Sequence, residues 1–303
     1  MVSTKVLVAG SIGLDDVSTP FGSVSNVAGG SGVFASLACS LFSKTALIGC
    51  IGKDFPKDKL DVLESKSIDI SGVSISQKPT MRWKAHYGFD INVVHTDLFE
   101  ANSLLDLPKS VPSELANVDY VFLGNFDPEQ QMSLLKSFQS KPKLSICDTN
   151  DFYINSKRDK VLEMVLASDL SLMNDAEARE LFKTTNLVKA AQEILAMESK
   201  YAIVKKGEDG CVLFSKENHF ACVGYPLENI KDPTGCGDSF AGALIGYLAN
   251  TADLSEKNIR KAVVNASAVA SYNAESFSFD KLASITRKDV KERVKEFREF
   301  VKF

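Results

Sequence analysis

The chain has 303 residues, 45% of them hydrophobic and 24% charged, with a formal net charge of −4. These values fit a globular protein with one large core or two smaller ones, and they give no electrostatic reason to expect nucleic acid as a partner. Its six cysteines (Cys39, Cys50, Cys147, Cys211, Cys222 and Cys236) form no C-x-x-C pair, and no apolar run approaches membrane-spanning length. Buried, reduced thiols and a cytoplasmic setting away from membranes are therefore expected.

In chain order, short apolar runs predict strands over 6–9, 45–51, 120–123, 143–147, 170–173, 202–205 and 211–214. Between them the helical period predicts helices over 31–43, 56–66, 128–140, 157–167, 175–182 and 187–199. The strands are apolar on both faces, as in a covered parallel sheet, and the alternation predicts a doubly wound α/β fold. After residue 230 the pattern turns helical, over 237–250 and 255–272 and again from Arg287. The stretches 15–26 and 74–105 break this rhythm and read as extended strands of a small separate sheet.

The chemistry concentrates in the run Asp232-Pro-Thr-Gly-Cys-Gly-Asp-Ser-Phe240. Gly235 and Gly237 permit a sharp turn whose open amides run into a helix N-terminus, an anion site aided by the helix dipole. Asp238 then falls in the first helical turn, where a carboxylate can take the proton of a hydroxyl nucleophile. By itself such a turn also makes a helix cap. The helix N-terminus is expected to lower the Cys236 thiol pKa. Asn174 and Glu177 stand three apart after an apolar strand, a spacing that also spells a capping arrangement. The stretch 205–210 reads as a hairpin turn. Gly10-Ser-Ile-Gly13 lacks the spacing of a dinucleotide-binding turn, which speaks against an oxidoreductase.

The run around Asp238, preceded far upstream by Gly29-Gly30 opening a helix, resembles the PfkB, or ribokinase-like, family of carbohydrate and nucleoside kinases. The resemblance covers essentially the whole chain. It implies one ribokinase-like α/β domain, with a doubly wound, mainly parallel sheet flanked by helices and a small β-sheet lid over about 12–26 and 74–105. It implies transfer of the ATP γ-phosphate, with Mg2+, to an alcohol group of a small carbohydrate-like substrate. The alternatives are a nucleoside acceptor or a non-catalytic nucleotide- or sugar-binding regulator.

By the same resemblance Asp238 is the base, and the amides of Gly235, Cys236 and Gly237 form the anion hole. Nucleotide contacts fall to Asn174, Glu177, Lys206, Gly207, Gly210 and Thr234, with Glu177 acting on Mg2+ indirectly and Asp232 offering oxygens to a potassium ion. Acceptor contacts fall to Asp15 (Asp16 as its substitute), Gly30, Ser31, Phe34, Asn125 and Asp127. Phe34 stands where many sugar kinases carry Asn; its ring suits an aromatic portion of a substrate, or else the core. Arg82 and Trp83 either cover the substrate or pack the lid. The expected partner is a small molecule, with the chain acting as a monomer or as a homodimer paired through its lid.

Overall fold

The computed structural model describes residues 5–197 and 199–302. In chain order, β1 (Val6–Ala9), β2 (Gly13–Thr19) and β3 (Gly22–Gly29) lead into α1 (Ser31–Ser40). Then come β4 (Thr45–Ile51), α2 (Lys57–Ser65), β5 (Asp69–Ile75), β6 (Met81–Tyr87) and β7 (Val94–Glu100). The alternation resumes with β8 (Tyr120–Leu123), α3 (Pro128–Lys136), β9 (Leu144–Asp148), α4 (Asp151–Ser156) and α5 (Arg158–Ala167). Next are β10 (Leu170–Asn174), α6 (Asp175–Phe182), α7 (Leu187–Ala196), β11 (Tyr201–Lys205), β12 (Cys211–Phe214) and β13 (His219–Cys222). The last elements are α8 (Cys236–Thr251), α9 (Glu256–Asn273), α10 (Asp280–Ser284) and α11 (Arg287–Phe300).

The large sheet has nine strands in the order β13-β12-β11-β10-β9-β8-β1-β4-β5. From β11 to β5 every pairing is parallel, while β12 and β13 add antiparallel at one edge. Side chains of β1 alternate between two cores. Val6 and Val8 pack with residues of α1, α8 and α9 on one face. Leu7 and Ala9 pack with residues of α3, α5, α6 and α7 on the other. Burial on both faces is what made these strands read as continuous apolar runs. On the first face α8 lies close against α1: a Cβ on Gly242 would stand 2.0 Å from the Ala35 carbonyl oxygen, so no larger residue fits there.

Strand order reverses at β1, which has β4 on one side and β8 on the other. The carboxyl ends of β1 and β8 therefore open a crevice, the usual ligand position in open α/β sheets. The loop after β1 leads out to a second sheet of four strands, β3-β2-β6-β7, in which β2 pairs parallel with β6. Ser74 and Ile75, placed with the small sheet by the sequence, instead end β5 of the large one. β13 and α4 were not foreseen. β13 is short and carries two exposed residues, and α4 is little more than one turn.

Candidate active site

Helix α8 begins at Gly235, its N-cap, which has φ 75°. A Cβ there would lie 2.4 Å from the Phe34 ring, so the left-handed backbone and the tight approach both call for glycine. Phe34 is 1% exposed. It therefore belongs to the core and supports the loop from beneath, and it does not line a substrate site. Of the three amides expected to form the anion hole, that of Cys236 is turned inward and donates to the Pro233 carbonyl at 3.1 Å. The Cys236 thiol lies 3.4 Å from the Ala270 carbonyl and 3.6 Å from Asn273 Nδ2. Burial pushes it up to about 12. The lowered thiol pKa expected from the helix terminus is thus overturned, because desolvation outweighs the dipole.

Asp238 sits in the first turn of α8, with Oδ1 sealed from solvent and without a hydrogen-bond partner. Burial, with the Asp148 carboxylate behind it and against the pull of Lys205, raises Asp238 to about 7. Lys205 ends β11 and grips both oxygens of Asp148, at 2.9 and 2.7 Å. Its Nζ would be 3.1 Å from a Cβ on Gly237, so the ammonium lies directly under the anion loop. Burial pulls the lysine down, but Asp148 and Glu177 more than offset this and hold it above its ordinary value. Neither Lys205 nor Asp148 was singled out from the sequence. Their signal was a charged residue closing each of two apolar strands. Lys206, which was expected at the nucleotide, points to the surface, 3.6 Å from Asp209.

Asn174 and Glu177 form a reciprocal capping box at the start of α6. Glu177 Oε2 also accepts from Thr149 Oγ1 at 2.9 Å. Burial raises Glu177 to about 7, against the Lys205 charge. Asp148, Glu177 and Asp238 thus surround a single ammonium, an imbalance that a divalent cation carried on nucleotide phosphates would offset. Among the described residues no three metal-binding side chains converge to hold such an ion by themselves. These residues therefore fit a metal that takes most of its ligands from phosphate and water.

A cavity of about 560 Å³ runs from Lys205 and Gly237 past Gly207 and Gly210 to Tyr225 and Ala274. The hairpin turn 207–209 and the N-terminal end of α8 face each other across it.

On the acceptor side, Asp15 on β2 is 3% exposed, with Oδ1 unpartnered. A Cβ on Gly29 would stand 1.9 Å from its Oδ2. Burial, then the charges of Asp232 and Asp238, raise Asp15 to about 8. Asp16 points away and accepts from the Asn26 amide at 2.7 Å on the outer surface, so it is not the substitute. Gly30 precedes α1, and the Ser31 hydroxyl accepts from the Ser11 amide at 3.1 Å. Asn125 follows β8 at the crevice. Asp127 is not available to a substrate: it caps α3 through the Glu129 amide and pairs with Lys157 at 2.6 Å. Arg82 is likewise turned outward, to Asp54 at 3.5 Å.

The small sheet touches the loop and the cavity at several points that the sequence did not show. Tyr87 OH lies 3.1 Å from Thr234 Oγ1. Asn92 accepts from the Glu208 amide at 3.2 Å. Thr19 donates to the Lys231 carbonyl at 2.7 Å, and Ser278 to that of Ala28 at 2.6 Å. Asp232, 1% exposed, accepts from the Thr234 amide at 2.9 Å and so braces the turn.

The profile of the pfkB family carbohydrate kinases matches residues 6–282. The chain belongs to that family. Among its curated relatives, a cytidine kinase of Thermococcus kodakarensis is 28% identical over 80% of this chain and 88% of its own length. A ribokinase of Lactococcus lactis is 27% identical over 86% of this chain and 89% of its own. A solved fructokinase of Vibrio cholerae, bound to fructose, ADP and calcium ion, superposes with a TM-score of 0.78 at 16% identity, covering 96% of this chain and 99% of the other. A pfkB kinase is an ATP-dependent phosphotransferase, and the glycine loop and the acid after it lie within the matched span.

Proposed function

We propose that this chain transfers the γ-phosphate of ATP, bound with Mg2+, to an alcohol group of a small carbohydrate-like acceptor, with Asp238 as general base. The observation that carries this is a buried carboxylate oxygen with no partner, one residue past a glycine loop at a helix N-terminus and beside the cavity. Such an oxygen gains its missing hydrogen bond when an acceptor hydroxyl arrives. The hydroxyl proton passes to Asp238, the acceptor oxygen bonds to the γ-phosphorus, and the bond from that phosphorus to ADP breaks. The amides of Gly235 and Gly237 stabilise the charge on the transferring group, helped by the Lys205 ammonium beneath Gly237. Glu177 and Asn174 would act on the water shell of Mg2+, which would supply charge neutralisation on the phosphates. Asp15 is positioned to hold acceptor hydroxyls, with Ser31, Gly30 and Asn125 around it.

The small sheet serves as a lid that excludes water, reaching the nucleotide side through Tyr87 and Asn92. In this proposal Asp232 offers oxygen to a potassium ion near the loop, so that potassium stimulates turnover above sodium. Strand β7 is an exposed edge, which supports a homodimer paired through the lid. Five buried free cysteines suit a reducing, cytoplasmic compartment.

A panel of sugars and nucleosides, read as acceptor-dependent ADP release, tests the reaction. Asp238→Asn should bind ATP normally and lose turnover by about 10²–10⁴-fold. Wild-type turnover in that variant contradicts the base assignment.

A further inference from the structure

The cleft face of the small sheet carries a row of residues set side by side across three strands. In register, Asp15 of β2 pairs with Trp83 of β6, and Trp83 pairs with Phe99 of β7. Residues directly paired across neighbouring strands point to the same face, so all three share one side. That side is the inner one. Along β6, Met81 and Ala85 are buried and Tyr87 reaches the anion loop, whereas Arg82, Lys84 and His86 alternate outward. The row then crosses to the large domain, where the Phe99 ring stands 6.4 Å from that of Phe152 in α4. Phe152 lies four residues beyond Asp148, which holds Lys205 under the anion loop. Phe99 and Phe152 nevertheless remain 44% and 58% exposed, and Trp83 is half-buried.

Aromatic rings left partly open in this way stand beside a buried carboxylate with an unpartnered oxygen. They offer flat apolar area to something that enters the cleft. We propose that Trp83, Phe99 and Phe152 form an aromatic clamp for the planar base of a nucleoside acceptor whose ribose hydroxyls reach Asp15 and Asp238. A bare sugar has no planar portion to place there, so the clamp makes a nucleoside the better acceptor. The inference rests on the kinase reading of the same site and narrows its acceptor. Phe34, suggested by the sequence as an aromatic contact, is replaced in that role by two rings of the small sheet and one of α4.

Trp83 is the only tryptophan in the chain, so its emission reports on the clamp independently of turnover. Cytidine, uridine, adenosine, inosine and ribose would each be titrated against wild type, Phe99→Ala and Phe152→Ala, following emission and acceptor-dependent ADP release. Both replaced rings are exposed, so the variants should fold, which circular dichroism checks. At least one nucleoside should change Trp83 emission saturably, and ribose should not. In each variant the ratio of kcat/KM for that nucleoside to kcat/KM for ribose should fall about tenfold, mainly through KM. Emission unmoved by any nucleoside, or a ratio unchanged within about twofold in both variants, overturns the clamp while leaving the kinase reading standing. Saturable emission changes without ADP release from any acceptor would instead remove the kinase reading and keep the binding site.

Discussion

Asp238 and Asp15 each bury an oxygen without a partner, yet they are held by opposite kinds of structure. Asp238 rides on α8, whose glycines press it onto α1 and whose first turn rests on the fully buried Phe34. Asp15 rides on a four-stranded sheet that lends Leu14, Ala28 and Met81 to the two cores and otherwise meets the rest of the molecule through side-chain hydrogen bonds, among them those of Thr19, Tyr87 and Asn92. The reacting end is thus built into the core, where changes should cost stability. The acceptor end lies on a sheet whose outer strand β7 is exposed throughout, where changes at cleft-facing side chains should alter selectivity with little loss of fold.

The contrast can be broken first at Lys205. Lys205→Met leaves Asp148 buried without its cation and should cost about 3–5 kcal/mol of stability, seen as a drop in denaturant midpoint. A midpoint equal to wild type would mean that the carboxylates beneath the loop need no counter-charge. Next in size, Gly235→Ala forces a side chain into a left-handed turn against the Phe34 ring. It should cost about 1–3 kcal/mol. Turnover should fall about 100-fold as the anion loop is displaced. On the other layer, Tyr87→Phe removes the hydroxyl that meets Thr234. It should leave the melting temperature nearly unchanged and raise the acceptor KM by about fivefold, close to 1 kcal/mol. If Tyr87→Phe instead unfolded the protein, this hydroxyl would be holding the fold together and the contrast would fail.

The same division governs what could be read from the sequence. Strands buried on both faces left an unbroken apolar trace, so β1, β4, β8 and β12 are found with the expected bounds. The glycine loop was legible because positive φ and close approach exclude other residues at Gly235. What escaped was the result of long-range packing. Whether Phe34 or Trp83 faces the cleft depends on strand register and helix placement, and composition is silent on both. Asp127 carries the same carboxylate as Asp15, and only the cap of α3 and the ion pair to Lys157 remove it from the site. Lys205 is the last residue of β11 whereas Lys206 opens the turn beyond it, so the two neighbours point in different directions. At Cys236 the helix terminus is visible in sequence, whereas the burial that dominates its thiol is not.

The pH dependence of acceptor kcat/KM tests the role of Asp238 most directly. Burial and Asp148 hold this carboxyl at about 7, and it must be ionised to accept the hydroxyl proton. Below that value kcat/KM should fall about tenfold per pH unit, and above it the group should add no further dependence. The limb should persist in Asp15→Asn, which keeps the base. A profile flat from about pH 5 to 8, or a limb that disappears with Asp15, would contradict Asp238 as the proton acceptor.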